Sequence, residues 1–233
     1  MTFGNGNGNY YPIWSNDGRR IAYSSDRAHQ GIYLKNADGT GEEEPLQPTT
    51  PRPELPADWS RDGTTLAITV NFPTTDIFTV SWPDRKETPF EAAASCPVFS
   101  PDGRWIAYTV LAPGNPPQVL VKPVSRAGGK VQLTSDRGAY PIWTDRGLVF
   151  MNAKKVMTVD VQTQPVFKAG PIQELFDAGA YDRGSIPLRN FDVTRDGQTF
   201  AFVTGVSGRD WKQINVVLDW ASALSQLAPP LNK

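Results

Sequence analysis

The side chains that could perform chemistry in this chain are almost all oxygen-bearing. The 233 residues include 24 acidic residues but one histidine and one cysteine. A single cysteine excludes an intramolecular disulfide framework and a zinc-ribbon site, and a single histidine removes most metal-ligand and catalytic-triad arrangements. Any reaction would therefore depend on carboxylates, hydroxyls and amides.

Two aspartates stand out because they occupy the same position of a repeated segment. Asp58 and Asp192 each lie directly before the residue that anchors the repeat, Trp59 and Val193 respectively. Residues one and three before the anchor are expected to share a strand face opposite to the anchor, and in a propeller this face lines a central channel. The three-before position adds further candidate ligand-binding residues. These are Tyr11, Tyr140 and Asn190.

These side chains predict a polar axial cavity. Asp58 and Asp192 are the catalytic and metal-binding candidates, with Asn190 as a further metal ligand, because a hard cation such as Ca²⁺ prefers oxygen ligands. A cation held there could polarise a phosphoryl or carbonyl oxygen and activate water, giving a hydrolase of phosphoesters, lactones or glycosides. A glycosidase would need the two carboxylates roughly 5 to 9.5 Å apart. The alternative is that water or arginine side chains surround both aspartates.

Four arginines are further candidates for ligand binding, because each falls in a loop between predicted strands. A guanidinium can bind a carboxylate or a phosphate through two parallel hydrogen bonds, and loops often display binding residues. Three of the four directly follow an aspartate, so solvated loop charge is the alternative interpretation. The four are Arg27, Arg137, Arg183 and Arg189.

The elements that must position these residues come from an internal repeat. Five segments share an aromatic or apolar anchor and a Ser or Thr, and in four of them Asp-Gly and an alternating apolar run follow. The anchors are 45, 40, 44 and 50 residues apart, which is the period of a four-stranded propeller blade. The segments are PIWSNDGRRIAYSS, ADWSRDGTTLAITV, PVFSPDGRWIAYTV, PIWTDRGLVFM and FDVTRDGQTFAFVT.

Each repeat predicts a hairpin followed by further strands. Asp-Gly between alternating runs is a strong hairpin signal, since glycine adopts positive φ without steric cost. The fourth segment departs from this pattern, because it has Asp-Arg-Gly instead. Large aromatics dominate the energetics of cores, so the aromatic anchors are expected to pack between sheets. These anchors are Trp14, Trp59, Phe99 and Trp143.

The sequence thus predicts an all-β fold, a β-propeller of about five four-stranded blades in a single domain. The blades are expected at approximately 10–48, 56–91, 96–135, 140–177 and 190–220. Residues 1–4 are expected to pair with the C-terminal blade and close the ring, because an open edge leaves backbone groups exposed. Residues 221–233 are expected to form a short helical tail. If the ring is incomplete, pairing with a second copy of the chain is the alternative.

The repeat also resembles a known family. The WSxDGxxIAY-type motif is similar to the Asp-Gly propeller repeat of TolB, the translocation protein of the Tol–Pal system, over all five segments. A closer likeness is to the C-terminal propeller region of bacterial proteins with an upstream serine/threonine kinase or winged-helix domain. It rests on TFGNGNGNYYPIWSNDG, FDVTRDGQTFAFVT and QINVVLDWASALSQLAP. The resemblance implies a sensory or protein-interaction module within a longer protein, and it implies no kinase or DNA-binding activity, since neither signature is present.

Charge and hydropathy limit the partners and the location. The formal net charge is −1, so no global field would attract nucleic acid or an anionic membrane. The sequence has no run of about 18 apolar residues and no secretory signal, so membrane insertion is not expected. The chain alone is expected in the cytoplasm, whereas a longer parent protein could place it outside. We expect no cofactor, with Ca²⁺ in the channel as the alternative, and a protein, peptide or small ligand at the channel mouth.

Overall fold

The computed structural model describes residues 8–26, 30–47, 52–71, 73–125, 127–179, 189, 191–202 and 215–217. These residues form an all-β structure of antiparallel sheets, which confirms the predicted fold class. The predicted closing strand at 1–4 and the helical tail at 221–233 lie outside the described residues. The chain divides into two compact units, Met1–Ala139 and Tyr140–Lys233, and each is described by itself.

The first unit contains three four-stranded sheets, one for each of the first three repeats, with strands that follow chain order. The first sheet consists of β1 (Asn9–Trp14), β2 (Arg20–Ser25), β3 (Gly31–Asn36) and β4 (Glu44–Pro45). The second sheet consists of β5 (Glu54–Trp59), β6 (Thr65–Val70), β7 (Asp76–Ser81) and β8 (Glu87–Glu91). The third sheet consists of β9 (Ala94–Phe99), β10 (Trp105–Val110), β11 (Gln118–Pro123) and β12 (Val131–Gln132).

The second unit contains the sheets of the last two repeats. The fourth sheet consists of β13 (Ala139–Trp143), which begins at the boundary between the units, β14 (Gly147–Asn152), β15 (Lys155–Gln162) and β16 (Lys168–Asp177). The described strands of the fifth sheet are β17 (Phe191–Val193), β18 (Phe200–Phe202) and β19 (Asn215–Val217). The hairpin of the fourth repeat forms without Asp-Gly, because the N–H of Thr144 donates to the carbonyl of Gly147 at 2.8 Å.

The Asp-Gly turns are closed by one recurring set of hydrogen bonds. The Ser or Thr after the anchor donates its hydroxyl to the turn aspartate, and the turn glycine has a φ between 67° and 74°. The hydroxyl is also the main reason that the pKa values of Asp17, Asp62 and Asp196 lie below the usual range. The hydroxyl–carboxylate pairs are Ser15–Asp17, Ser60–Asp62, Ser100–Asp102 and Thr194–Asp196.

The core of the first unit lies between its sheets. One buried cluster joins the first and second sheets and includes Leu34 and Trp59, and the next joins the second and third sheets and includes Ile77 and Phe99. Trp59 and Phe99 are 4% and 6% exposed. The expectation that repeat anchors pack between sheets is confirmed for these two residues. Each anchor packs toward the sheet that precedes its own along the chain.

Trp14 differs from the anchors of the next two repeats. Its exposed fraction is 60%, although the sequence predicts that it packs between sheets as Trp59 does. The physical reason is its position, because among the described residues of the first unit no sheet precedes the first one. Trp143, the anchor of the fourth repeat, is half-buried.

Truncating the two tryptophans should therefore change the free energy of unfolding by very different amounts. We expect Trp59→Ala to lower the free energy of unfolding by about 3–5 kcal/mol, as for other buried aromatics. We expect Trp14→Ala to change it by at most about 0.5 kcal/mol, because surface substitutions cost little. Urea denaturation followed by circular dichroism measures both values. A loss for Trp14→Ala as large as that for Trp59→Ala would mean that Trp14 is covered.

Candidate functional site

The first strand of a repeat is irregular at the position three residues before the anchor. The register of β1 against β2 shifts between Tyr10 and Ile13, and Tyr11 within this bulge has a φ of 55°. Cys96 and Tyr140 occupy the same repeat position and have φ values of 53° and 59°. Positive φ is uncommon for residues other than glycine, and a bulge interrupts the alternation of side chains. The simple alternation on which the predicted channel face rests does not hold across this bulge.

Asp58 connects two neighbouring sheets. Its Oδ2 accepts a hydrogen bond from the backbone N–H of Phe99 at 2.7 Å, so a carboxylate of the second sheet binds the anchor residue of the third. The residue is half-buried. Hydrogen bonds to an ionised acceptor are stronger than those between neutral groups. The contact gives Asp58 a structural role in the first unit.

Asp192, the other carboxylate of the predicted pair, lies in the second unit. It is exposed, and its Oδ1 accepts a hydrogen bond from the N–H of Val193 at 3.0 Å. The part of the chain that the structure describes contains no group of three or more His, Cys, Asp or Glu residues that could hold a metal ion. The shared cation on Asp58 and Asp192 stays a prediction.

The remaining predicted site residues fall in different parts of the chain. Tyr11 is 44% exposed in the first unit, whereas Tyr140 is half-buried and packs against the apolar cluster of the second unit. Arg137 is exposed and Arg189 is half-buried. Three predicted residues lie outside the described residues, so their place in a site stays a prediction. They are Arg27, Arg183 and Asn190.

A buried ion pair lies at the start of the second sheet. Glu54 is 1% exposed, and its Oε1 accepts a hydrogen bond from Nε of Arg52 at 2.6 Å. Burial raises the pKa of Glu54, because desolvation disfavours the charged carboxylate. Arg52 also pairs with Glu87 of β8, and the hydroxyl of Ser24 donates to the carbonyl of Glu54 at 2.7 Å. The Ser24–Glu54 hydrogen bond ties the first sheet to the second, the ion pairs lie within the second repeat, and together they indicate a structural role.

A pocket that was not predicted lies between the first and second sheets. It has a volume of about 410 Å³ and is lined by the first Asp-Gly turn and by Trp59 and Trp82. The two indole rings meet edge to face, with centroids 6.2 Å apart, and the guanidinium carbon of Arg20 lies 4.6 Å from the centroid of Trp82. Alignment of the repeats indicates that this pocket is unusual. The second repeat has Thr65 at the position of Arg20, and the third repeat has Phe99 at the position of Trp59.

Solved structures resemble this arrangement of sheets. TolB from Acinetobacter baumannii matches with a TM-score of 0.63 and 19% identity, over 86% of this chain and 50% of that one. TolB from Agrobacterium tumefaciens matches with a TM-score of 0.57 and 22% identity, over 70% of this chain and 63% of that one. The fold is a TolB-like β-propeller. Each sheet is therefore a blade of the propeller, and these identities carry the fold alone.

The comparisons also include an enzyme. A puromycin-hydrolysing peptidase from Mycobacterium tuberculosis matches with a TM-score of 0.60 and 16% identity, over 84% of this chain and 35% of that one. The chain spans half to somewhat under two thirds of the length of the two TolB structures. No family model and no curated protein matches the sequence. The likeness to kinase-linked and winged-helix-linked propellers stays a prediction.

No helix that is long and apolar enough to cross a membrane occurs among the described residues of the propeller. The location of the chain, inside or outside the cytoplasm, stays a prediction.

The structural role of Asp58 predicts a difference between two substitutions. Asp58→Ala leaves the N–H of Phe99 without this acceptor, and we expect a loss of about 1–3 kcal/mol in the free energy of unfolding. Asp58→Asn keeps a carbonyl oxygen at the same place, so its loss should be under about 1 kcal/mol. Urea denaturation measures both. An alanine variant as stable as the unmodified chain would contradict the structural role.

Proposed function

We propose that this propeller is a protein-interaction module that binds a peptide or protein partner through aromatic side chains of its first blade. Tyr10, Tyr11 and Trp14 are 48%, 44% and 60% exposed, and all three belong to the six-residue strand β1. Tyrosine and tryptophan are enriched at the cores of protein interfaces, because each combines a large apolar surface with a polar group. This exposure is the observation that carries the proposal.

The contrast with the other blades of the first unit supports the proposal. Single exposed apolar residues are ordinary, whereas several on one strand concentrate apolar surface in one place. The rings of Tyr10 and Tyr11 are neighbours, with centroids 6.2 Å apart. The phenol of Tyr10 also donates a hydrogen bond to Asp26 at 3.3 Å, and the negative charge of Asp26 raises the pKa of Tyr10. The anchors Trp59 and Phe99 bury the surface that Trp14 exposes.

The finer proposal is that the module is the C-terminal part of a larger bacterial protein, in which binding to the propeller would be sensed by another domain. The resemblance of the first and last repeats to kinase-linked and winged-helix-linked propellers supports it. A scaffold of packed blades that displays loops and strand ends suits recognition, and its fold alone does not specify a reaction.

A metal-assisted hydrolase is the second candidate, and the likeness to a puromycin-hydrolysing peptidase favours it. Its proposed carboxylates are Asp58 and Asp192. The engagement of Asp58 by the N–H of Phe99 favours the binding module instead. Assays with p-nitrophenyl phosphate, acetate and glycosides, with and without CaCl₂, separate the two candidates. Turnover that needs CaCl₂ and is lost in both Asp58→Asn and Asp192→Asn would support the hydrolase.

Selection of short random peptides on the immobilised whole chain tests the binding module. We expect the selected peptides to bind at least about tenfold more weakly to the double variant Tyr11→Ser/Trp14→Ser, because it removes most of the exposed aromatic surface. Fluorescence anisotropy with labelled peptides measures the affinities.

Val166→Ser is the matched control, because Val166 is another large apolar residue, 63% exposed, in the second unit. Peptides should bind this control and the unmodified chain equally. Failure to select any peptide, or equal binding to all three proteins, would contradict the proposed aromatic surface.

A further inference from the structure

Two residues that line the pocket between the first two blades each carry a buried N–H donor that lacks an acceptor. Nε1 of Trp59 and Nη1 of Arg20 are both inaccessible to solvent, and neither has a hydrogen-bond partner among the described residues. Both side chains line the same cavity of about 410 Å³, and Trp59 is 4% exposed. Buried donors in native proteins nearly always have an acceptor, from the protein, water or a ligand. Neither nitrogen is open to solvent in this conformation, so an acceptor that enters the cavity would bind these donors where the side chains of Arg20 and Trp59 turn toward it.

The carboxylates at the rim of this pocket already accept hydrogen bonds within the Asp-Gly turns. Oδ1 of Asp17 accepts hydrogen bonds from the hydroxyl of Ser15 and the N–H of Arg19. Oδ1 of Asp62 accepts from the hydroxyl of Ser60 in the same way. These bonds hold each carboxylate within its own turn. The same bond, from a hydroxyl to the aspartate two residues later, recurs in the other two Asp-Gly turns.

The rest of the lining is rich in positive charge. Arg19, Arg20 and Arg61 line the cavity together with two aspartates, so the charged side chains sum to a positive value. Arg20 lies over the face of Trp82, which fixes its guanidinium beside the cavity. The amide nitrogen of Asn16 is already used, because it donates to the carbonyls of Trp59 and Ser60. A net positive pocket with unsatisfied donors suits an anion with oxygen acceptors.

The pocket of the following pair of blades is an internal comparison. It lies between the second and third blades, has a volume of about 460 Å³ and is lined by the equivalent turn. Thr65 and Phe99 stand there at the positions of Arg20 and Trp59, and Val124 stands at the position of Trp82. The repeat thus forms a pocket of similar size without any buried N–H donor from these three positions. The donors of the first pocket are therefore not needed to build the fold.

We propose that the pocket between the first and second blades binds an oxyanion, a carboxylate or phosphate group of a small ligand, through N–H groups of Arg20 and Trp59. The volume falls within the range of small-molecule sites. A guanidinium recognises both kinds of oxyanion, and the indole N–H adds a donor of fixed direction. None of Tyr10, Tyr11 and Trp14 lines this pocket, so either proposal can fail while the other holds.

Nuclear magnetic resonance of the whole chain with isotope-labelled tryptophan tests this site. The chain has seven tryptophans, and loss of one indole signal in Trp59→Phe assigns Trp59. Sodium phosphate and sodium acetate are added in separate titrations, with sodium chloride keeping the ionic strength constant. We expect the Trp59 indole signal to shift and saturate with at least one of the two anions, because its N–H gains an acceptor. Saturation with acetate alone assigns a carboxylate ligand, and saturation with phosphate alone assigns a phosphoryl ligand.

Two matched variants separate a site from general electrostatics. Arg20→Thr introduces the residue of the next blade and should weaken binding at least about tenfold. Arg104→Thr removes the same charge from the corresponding turn of the third blade, where the arginine is exposed, and should leave binding within about twofold. Shifts that stay linear with either anion, or that are equal in Arg20→Thr and the unmodified chain, would overturn the proposal. The pocket would then hold water or an adventitious ion only.

Discussion

Packing between consecutive sheets is the constraint on which the rest of the first unit depends. A sheet with two apolar faces must cover both, and here the second blade does so by packing against the first blade on one side and the third on the other. We call each of these two contacts between neighbouring sheets a seam. The repeat places a large anchor in each seam and a small alanine on the following strand. Ala67 and Ala107, both completely buried, let the neighbouring sheets approach closely. Interdigitation of large and small side chains gives such interiors their close packing.

Hydrogen bonds at the turns reinforce these seams and restrict what the turn residues can do. The residue between the serine and the aspartate reaches the next blade in two successive turns: Asn16 donates to the carbonyl of Ser60, and Arg61 donates to the carbonyl of Pro101. In the second unit, Asp145 at the corresponding position accepts a hydrogen bond from Arg195 at 2.6 Å. Serine, aspartate and glycine close the turn itself. The two positions after the glycine, in contrast, differ among the four Asp-Gly repeats.

The repeat alone predicted the fold, whereas the site depended on features that no repeat encodes. The anchor spacing and Asp-Gly pairs located the blades, because both are local and periodic. The exposure of Trp14 could not be predicted, since it depends on what precedes the first blade rather than on the segment that contains it. The bulge at Tyr11 and the bond between Asp58 and Phe99 depend on backbone torsions and on how neighbouring blades are placed. Simple alternation therefore does not carry across the bulge at Tyr11, and the grouping of the predicted channel residues stays a prediction.

Functional residues in such a scaffold are best sought where the residues of one repeat differ from those of the others and the difference lowers the stability of the fold. Thr65 and Phe99 fill their seam without a buried donor, whereas Arg20 and Trp59 each bury one, and an unmet buried donor costs about 1–3 kcal/mol. Neither packing nor turn formation requires a buried N–H donor at these two positions, because the second seam forms with Thr65 and Phe99 there. An acceptor from outside the chain offsets that cost. The same comparison of equivalent positions distinguishes Trp14, which the first blade exposes, from Phe99, which the third blade buries. Because no sheet precedes the first one among the described residues of the first unit, the ring of Trp14 is left available for the proposed partner.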